Sequence, residues 1–349
     1  MKPHIAIILL NWNGWKDTIE CLESLFRIKY PNYSVIIIDN GSKDQSIANL
    51  RKYCHNKCPV QSPFFRYDST NKPIEIFELD KAESENGVFN KDFYCTFPSN
   101  RRLILIKNNK NYGFAEGNNI GIRFALRNLD VAHVLLLNND TVVDGDFLTE
   151  LKIAAEKNPD CGFFGPKTYY YDYNGRHDII NFAGGILDIW RAKPHHIGYN
   201  QMDTGQFDCP RLVDYVEGSC MLMTKNTIKT IGLLDSSFFA YWEENDLCYR
   251  GKKHDIKSYY VPKSKIWHKE SASIESAKKI YFLTRNRFFF MRKNANFLQK
   301  TVFFLYFFLF QFWVLNLNYG LRHRDIAKIK SFYRGILSGL GIIKDEFIK

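Results

Sequence analysis

Glu243, Glu244, Asn245 and Asp246 follow one another directly, and His268 lies a short distance downstream. Such crowding of acidic and amide groups suits catalysis better than stability, and either glutamate can take a proton from a hydroxyl. Upstream, the apolar residues 134–137 end in Asn138-Asn139-Asp140, which puts a carboxylate where a strand would end. A carboxylate at that place can face phosphates through a divalent ion, which acts as a Lewis acid on the charge of a departing diphosphate. A base together with a metal and phosphate ligand suits group transfer from a nucleotide-bound donor. Each feature also has a plainer reading: acids favour a helix N-terminus, and Asn-Asp-Thr is a common turn sequence.

The elements that must position these groups alternate along the chain. Residues 5–10 read as a buried strand, and Ile19, Leu22, Leu25 and Phe26 recur at helical spacing between Asp17 and about Tyr30. A second strand, 35–38, runs into Asp39-Asn40-Gly41, after which Ser42 and Gln45 form a capping-box pattern opening a helix with Ile47 and Leu50. A third strand at 103–106, a helix near 115–129 and a fourth strand at 134–137 follow. This order predicts an α/β fold with right-handed βαβ units and a mostly parallel central sheet flanked by helices. Ligands of such sheets bind beyond the carboxyl ends of the strands. Asn11, Asp39, Asn111 and Asp140 fall at or shortly after those ends. Asp39 could accept from a base imide or a ribose, and Asn11 and Asn13 flank Trp12 in a loop that could hold a base. Any one of these alone reads more readily as a turn or cap residue; their shared edge reverses that.

The sequence divides into a catalytic part at 1–290 and a tail at 291–349. Within the first, 1–145 forms a nucleotide-binding half and 146–290 an acceptor-binding and catalytic half rich in Gly, Tyr and Asp. Residues 53–102 are polar and without a sustained period, and they read as a surface insertion. The eight cysteines form no CxxC pair and no zinc pattern, so they read as reduced cytosolic thiols, and the N-terminus lacks an export signal.

Charge is uneven. From Tyr249 onward there are 21 basic and 6 acidic residues, which leaves 27 and 31 of the totals of 48 and 37 before it. The basic third surrounds an aromatic, apolar run at 302–317. As a helix that run is roughly 24 Å long, short of a ~30 Å hydrocarbon core. An interfacial helix is therefore favoured over a membrane span, a buried helix or a homodimer contact, and Lys300, Arg322, Arg324, Lys328 and Lys330 suit an anionic membrane surface. A membrane accounts for the charge and the apolar run together, whereas nucleic acid accounts only for the charge. The expected place is the cytoplasm, peripheral on the membrane's cytoplasmic face.

Five ordered blocks carry a resemblance: Asn11-Trp12-Asn13-Gly14, Asp39-Asn40-Gly41-Ser42, the run from Asn111 to Gly121, Leu136-Leu137-Asn138-Asn139-Asp140-Thr141, and the segment from Trp242 to Arg250. Together they resemble the family 2 glycosyltransferases, in particular the rhamnosyltransferase-like members that extend bacterial and archaeal surface glycans, from Ile5 to about Asn286. The resemblance implies a GT-A fold, inversion at the anomeric carbon and a nucleoside-diphosphate sugar donor, dTDP-rhamnose or a UDP-sugar. It places Asn11, Trp12, Asn13, Asp39, Asn111, Gly113, Asn119, Asn138 and Arg285 around the nucleotide. Asp140 matches the last residue of a DxD motif for Mg²⁺ or Mn²⁺, and His268 matches a downstream histidine that can complete the metal site. Glu244 takes the general base position with Glu243 second, and Trp242 and Gly218 fall on the acceptor side. With the basic tail, it also implies a saccharide or polyprenyl-linked saccharide acceptor. Two departures stand out. Asn138 replaces the first Asp of DxD, and a Glu replaces the usual Asp base; the first leaves room for a domain that binds a sugar nucleotide or a partner enzyme without transfer.

Overall fold

The computed structural model describes residues 2–270, 276–319 and 325–345. Arg322 and Arg324, invoked above as membrane-facing charges, lie outside the described residues. In the first half of the chain β1 (Ile5–Asn11), β2 (Tyr33–Asp39), β3 (Glu75–Asp80), β4 (Arg102–Lys107) and β5 (His133–Asn138) lie parallel in the order β5-β1-β2-β4-β3. They alternate with α1 (Trp15–Leu25), α2 (Ser46–Cys54), α3 (Lys81–Asn86), α4 (Lys91–Cys95) and α5 (Gly113–Asn128). The unbroken apolar run of β1 is explained by cover on both faces. Ile5, Ile7 and Leu9 pack into the core holding Leu22, Leu25 and Leu50, while Ala6 and Ile8 pack into the core holding Ile120 and Phe124.

The chain moves outward through β2 and β4, then returns to place β5 on the other side of β1. That reversal opens a crevice beyond the carboxyl ends of β1 and β5, where open α/β sheets take ligands.

Three expectations change. The segment 53–102 is more than a surface insertion, because β3 within it forms the parallel edge of the sheet. Its sequence, Glu-Ile-Phe-Glu-Leu-Asp, hides this: an edge strand half open to solvent carries no apolar run. Lys72 anchors the segment, with its buried ammonium 3.0 Å from the buried carboxylate of Glu23. Second, Ser42 does not cap α2. Its backbone N–H donates to Asp39 and its hydroxyl accepts from Asn11 and Asn13, so it belongs to the loop beside the strand ends. Third, α1 stops at Leu25, short of Tyr30.

The second half adds β6 (Thr141–Val143), α6 (Phe147–Lys157), β7 (Cys161–Tyr170), β8 (Ile179–Phe182), β9 (Gly185–Asp188), β10 (Lys193–His196), β11 (Gln201–Met202), β12 (Arg211–Val213), β13 (Cys220–Thr224), α7 (Lys225–Ile231), α8 (Glu243–Lys252) and β14 (Lys257–His268). Here the sheet becomes mixed: β13 runs antiparallel between β5 and β7. β14 is the strand that matters most for the site. Its last residues pair antiparallel with β6, setting His268 opposite Thr141.

The tail forms α9 (Ser276–Asn294), α10 (Phe297–Tyr306), a π-helical stretch (Phe307–Gln311), α11 (Phe312–Leu317) and α12 (Ile326–Leu340). From Phe297 to Leu317 the helix is continuous over 21 residues, with a mean hydropathy of 1.5 and only 11% of its apolar window buried. It starts five residues before the expected apolar run, because Asn296 and Gln299 form a capping box there. At ~1.5 Å per residue it is roughly 31 Å long, so length no longer argues against a span. A helix buried within the protein is ruled out by its exposure. Phe303 and Phe307 pack with Phe288 of α9, while Leu305, Leu309, Phe310, Trp313, Val314 and Leu317 are bare.

Glu23 is held by Lys72, by Arg27 at 2.8 Å and by the hydroxyl of Tyr53 at 2.8 Å. Breaking a buried pair from one side strands the remaining charge, so Lys72→Met is expected to lower the unfolding free energy by roughly 3 kcal/mol. Urea unfolding midpoints of the two proteins check this, and an unchanged midpoint would show that the edge segment is not pinned through Lys72.

Candidate active site

The donor edge is built from strand termini in register. Asn11 ends β1, Asp39 ends β2 and Asn138 ends β5, and in the sheet Asn11 lies opposite Asp39 while Leu10 lies opposite Asn138. Asn11 is fully buried and points its amide at Asp39 over 2.7 Å, while its oxygen accepts from the Thr18 hydroxyl. Asp39 also accepts from the backbone of Ser42 at 3.1 Å. Asn11 thus orients Asp39. Asn13, with φ of 53°, accepts from the backbone N–H of Lys43 and Asp44 and closes the loop around Trp12, which is 37% exposed at its rim.

Asn40 ties this loop to the next. Its amide donates to Asn111 and to the carbonyl of Gly113, and its oxygen accepts from Asn108 and from the backbone of Tyr112. Asn111 and Gly113 are therefore joined to the same edge but occupied in building it. Gly113, with φ of +82°, is needed for close approach, since a Cβ there would come within 2.6 Å of Phe239.

The apolar run of β5 delivers Asp140 as expected, and the pairing of β6 with β14 brings His268 to it: Nε2 of His268 lies 3.1 Å from Asp140 Oδ1 and 3.5 Å from the amide nitrogen of Asn138. Burial alone would lower the pKa of His268. The Asp140 carboxylate, its hydrogen bond, and the charges of Glu217 and Glu270 outweigh that and hold the imidazole up at about 9. Nδ1 is buried with no hydrogen-bond partner among the described residues. One carboxylate, one imidazole and one amide fit a divalent ion whose remaining ligands come from phosphates. Among the described residues no cluster of three acidic, histidine or cysteine side chains could hold a cation without such help. The imidazolium would release its proton on taking the ion.

The acidic cluster sits on a strained turn. Phe239, Tyr241 and Trp242 have φ of 64°, 68° and 77°, and none is a glycine. Each such backbone costs on the order of 1–3 kcal/mol and persists only where its surroundings over-determine it. The N–H of Ala240 reaches the carbonyl of Phe238 at 2.8 Å, closing a tight γ-turn around Phe239. The turn delivers Glu243 and Glu244 at the start of α8. Glu243 is buried, and its Oε2 has no hydrogen-bond partner among the described residues. Burial, then the charge of Glu244, pushes its carboxyl well above the usual range. Glu244 is less covered and accepts from the amide of Asn245 at 3.0 Å. Burial, with the charge of Glu217 adding to it, raises its pKa to about 7. Asp246 is different: Arg250, Lys293 and Asn294 bind it, so it anchors the helix.

Several expected site residues are otherwise engaged. Asn119 donates to the carbonyl of Leu234 and accepts from its backbone N–H, and its amide also reaches the Glu116 carboxylate. Trp242 is buried against Phe290, ring centroids 5.1 Å apart, which takes it out of contact with an acceptor. Arg285 donates to the carbonyls of Ser237 and Phe238 and pairs with Asp345, so its guanidinium faces the turn rather than a diphosphate. Gly218 does lie beside the acids: a Cβ there would stand 3.9 Å from that of Glu244. Next to it is Glu217, which sequence reasoning did not single out and whose charge reaches both Glu244 and His268. Its only signal in the sequence is adjacency to Gly218.

Comparison with known proteins bears on this arrangement. A family model described as glycosyltransferase like family 2 matches residues 94–288, and one described as glycosyl transferase family 2 matches residues 6–73. The low-salt glycan biosynthesis hexosyltransferase of Haloferax volcanii is 27% identical over 187 residues, 51% of this chain and 56% of that protein. A dTDP-rhamnosyl transferase of Shigella flexneri is 24% identical over 203 residues, 55% of this chain and 64% of its own. The chain thus spans between half and two thirds of the length of these relatives. Among solved structures, a mannosyltransferase from Pyrobaculum calidifontis in complex with GDP-Man and Mn²⁺ superimposes with a TM-score of 0.53 at 12% identity, over 99% of this chain and 82% of that one. The shared architecture is the GT-A fold.

Raised carboxyl pKa values make a stability prediction. With the folded pKa of Glu244 at about 7 against an ordinary 4.5, the native state binds more protons than the unfolded chain between those values. Stability contributed by this group is present below about pH 4.5 and is lost as pH rises through about 7. Glu244→Gln is expected to flatten that fall. Urea midpoints measured across pH 5 to 8, about the window in which the two states differ in protonation, read it; identical slopes would refute the shift.

Proposed function

The chain belongs to glycosyltransferase family 2, and we propose that it moves a sugar with inversion from a nucleoside-diphosphate donor to a hydroxyl of a lipid-linked or surface glycan. The observation that carries this reading is geometric: Asn11, Asp39 and Asp140 stand at the strand ends with His268 beside Asp140, and a strained turn presents Glu243 and the half-buried Glu244 at the start of α8, the charge of Glu217 reaching both Glu244 and His268. By likeness to the named relatives, the donor is dTDP-rhamnose or another hexosyl donor and the acceptor a glycan; a UDP-sugar donor and a polyprenyl-linked acceptor rest on the sequence resemblance.

The nucleotide would lie beyond β1 and β2, with Asp39 accepting from its base or ribose and Trp12 at the rim. Asp140 and His268 would hold Mg²⁺ or Mn²⁺, with Asn138 beside them. That ion would supply neutralisation of charge on the leaving diphosphate. Glu244, deprotonated, removes the acceptor hydroxyl proton as the oxygen attacks C1. The bond from C1 to the diphosphate oxygen breaks on the opposite face, and its electron pair leaves with the nucleoside diphosphate. A pKa near 7 places Glu244 where both its basic form and a useful basicity coexist. Burial and the charge of Glu244 push the Glu243 carboxyl up, which favours its uncharged form beside the base.

The tail would seat the enzyme on the cytoplasmic face of a membrane. One side of the helix Phe297–Leu317 is docked on α9 and the other side is apolar and bare. Its contact with α9 through Phe303 and Phe307, beside a bare apolar side, supports a helix lying in the interface over one that leaves the domain to cross a bilayer.

Kinetics, donor binding and membrane extraction test these proposals. Glu244→Gln is expected to keep sugar-nucleotide binding and lose at least about 100-fold in kcat, general-base catalysis being worth 10²–10⁴. Asp140→Ala is expected instead to lose the metal dependence of donor binding. The wild-type kcat should rise with pH through about 7. Full turnover by Glu244→Gln would remove it as the base, and absence of any sugar-nucleotide binding with either ion would favour a non-transferring domain. For the tail, the double change Leu309→Glu with Trp313→Glu should release the chain from anionic vesicles, and alkaline carbonate should strip the wild type. Retention under carbonate would make the helix a span.

A further inference from the structure

We infer that Arg285, Asn286 and Asp345 are positioning residues for this reaction: they clamp the turn at 238–242 from behind and tie the placement of Glu243 and Glu244 to the C-terminal helix α12. The inference rests on Glu244 being the base.

Three residues with positive φ in a stretch of four do not hold their shape unaided. From one side the first turn of α5 grips them, because the carbonyl of Phe239 accepts from the backbone N–H of Phe114 at 2.6 Å and of Ala115 at 3.2 Å. From the other side the grip comes from α9. The fully buried amide of Asn286 lies 2.9 Å from the carbonyl of Phe238, 2.7 Å from that of Ala240 and 2.7 Å from that of Tyr241. Two amide hydrogens are shared among three acceptors, which fixes the curvature of the turn. Arg285 adds bonds to the carbonyls of Phe238 and Ser237 and orients Asn286 by donating to its oxygen at 2.6 Å. The ring of Phe239 stacks on Phe282 of the same helix at 5.1 Å.

A buried guanidinium that donates only to neutral carbonyls still needs a counter-charge. Asp345 supplies it, with 2.5 Å between its Oδ2 and Nε of Arg285. Asp345 comes from beyond α12, and α12 reaches that place because Gly335 and Gly339 let it lie directly on α9. A Cβ at Gly335 would stand 2.9 Å from the carbonyl oxygen of Tyr281, and one at Gly339 would stand 2.7 Å from that of Arg285. The path from the tail to the acids is thus continuous: α12, Asp345, Arg285, Asn286, the turn, Glu243 and Glu244. A change in how α12 sits on α9 would be felt at the base.

The experiment uses full-length Asp345→Asn and Asp345→Glu, both at a residue near the chain end and outside the sheet. Amide hydrogen exchange is read alongside transfer kinetics. Asp345→Asn should speed exchange at residues 237–246 roughly tenfold while leaving β1 to β5 unchanged, as a local opening does. It should lower kcat on the order of tenfold with the donor KM within about twofold, as misplacement of a catalytic group does. Asp345→Glu should restore both. Unchanged exchange and kcat in Asp345→Asn would overturn the inference. Faster exchange spread over the whole sheet would also overturn it, since that marks general destabilisation. If the wild type transfers no sugar, the proposed activity fails on its own, and the exchange data alone decide whether Asp345 holds the turn.

Discussion

The carbonyl groups of residues 237–241 are the hinge on which the candidate site depends. All five are engaged: Phe239 by the N-terminus of α5, and Ser237, Phe238, Ala240 and Tyr241 by Arg285 and Asn286 of α9. Only with that many fixed acceptors can the chain keep Phe239, Tyr241 and Trp242 at positive φ. The strain is offset by these hydrogen bonds, and what results is a pair of carboxyl groups carried into a low-dielectric place. Burial then raises both pKa values, and the more accessible Glu244 is left near neutrality. The chemistry proposed for Glu244 is in this sense a property of the turn rather than of the glutamate.

The second half of the site depends on register. Parallel pairing aligns Asn11 with Asp39, and β5 on the other side of β1 brings Asn138 level with Leu10. Side chains from three strands thereby meet without any being adjacent in sequence. β14 adds His268 by pairing antiparallel with β6, immediately after Asp140. A one-residue slip in that pairing would turn His268 to the other face and separate it from Asp140. The two halves are joined at Gly113, whose lack of a side chain lets the loop that carries Asn111 pass directly over Phe239.

How far the sequence could be read follows from the same physics. Apolar runs marked β1, β2, β4 and β5, since strands covered on both faces have no polar positions to blur them. β3 escaped because Glu-Ile-Phe-Glu-Leu-Asp has neither an apolar run nor strict alternation, its edge position leaving it half open. Asp39, Asp140, His268, Glu243 and Glu244 were named by residue type and order; the fold sets Asp39 at the end of β2, His268 beside Asp140, and Glu243 with Glu244 at the start of α8. Arg285, Asn119 and Trp242 were also named, and the fold engages them in holding backbone and core. A hydrogen bond from an amide or guanidinium to a main-chain carbonyl leaves no trace in the pattern of residue types. Residues that contact a ligand and residues that hold the loop contacting it look alike in one sequence. Glu217 was passed over for the converse reason: a lone glutamate has no pattern until the fold sets it between Glu244 and His268.

The electrostatics of Asn138 bear on how donor and cation would arrive. Asp140 and His268 form an ion pair in the structure, and together they carry almost no net charge. An aspartate at 138 would add a charge that attracts a bare cation; the amide of Asn138 adds none. The negative charge needed to hold a divalent ion must then come chiefly from the donor's own diphosphate. On the proposed reading, neither partner binds firmly alone, and the ion enters with the sugar nucleotide. On that reading, the loss of one carboxylate relative to a DxD pattern would change the order of assembly more than the chemistry. Glu244 is set by a different part of the chain, the turn before α8, and the two groups share an electrostatic neighbour in Glu217.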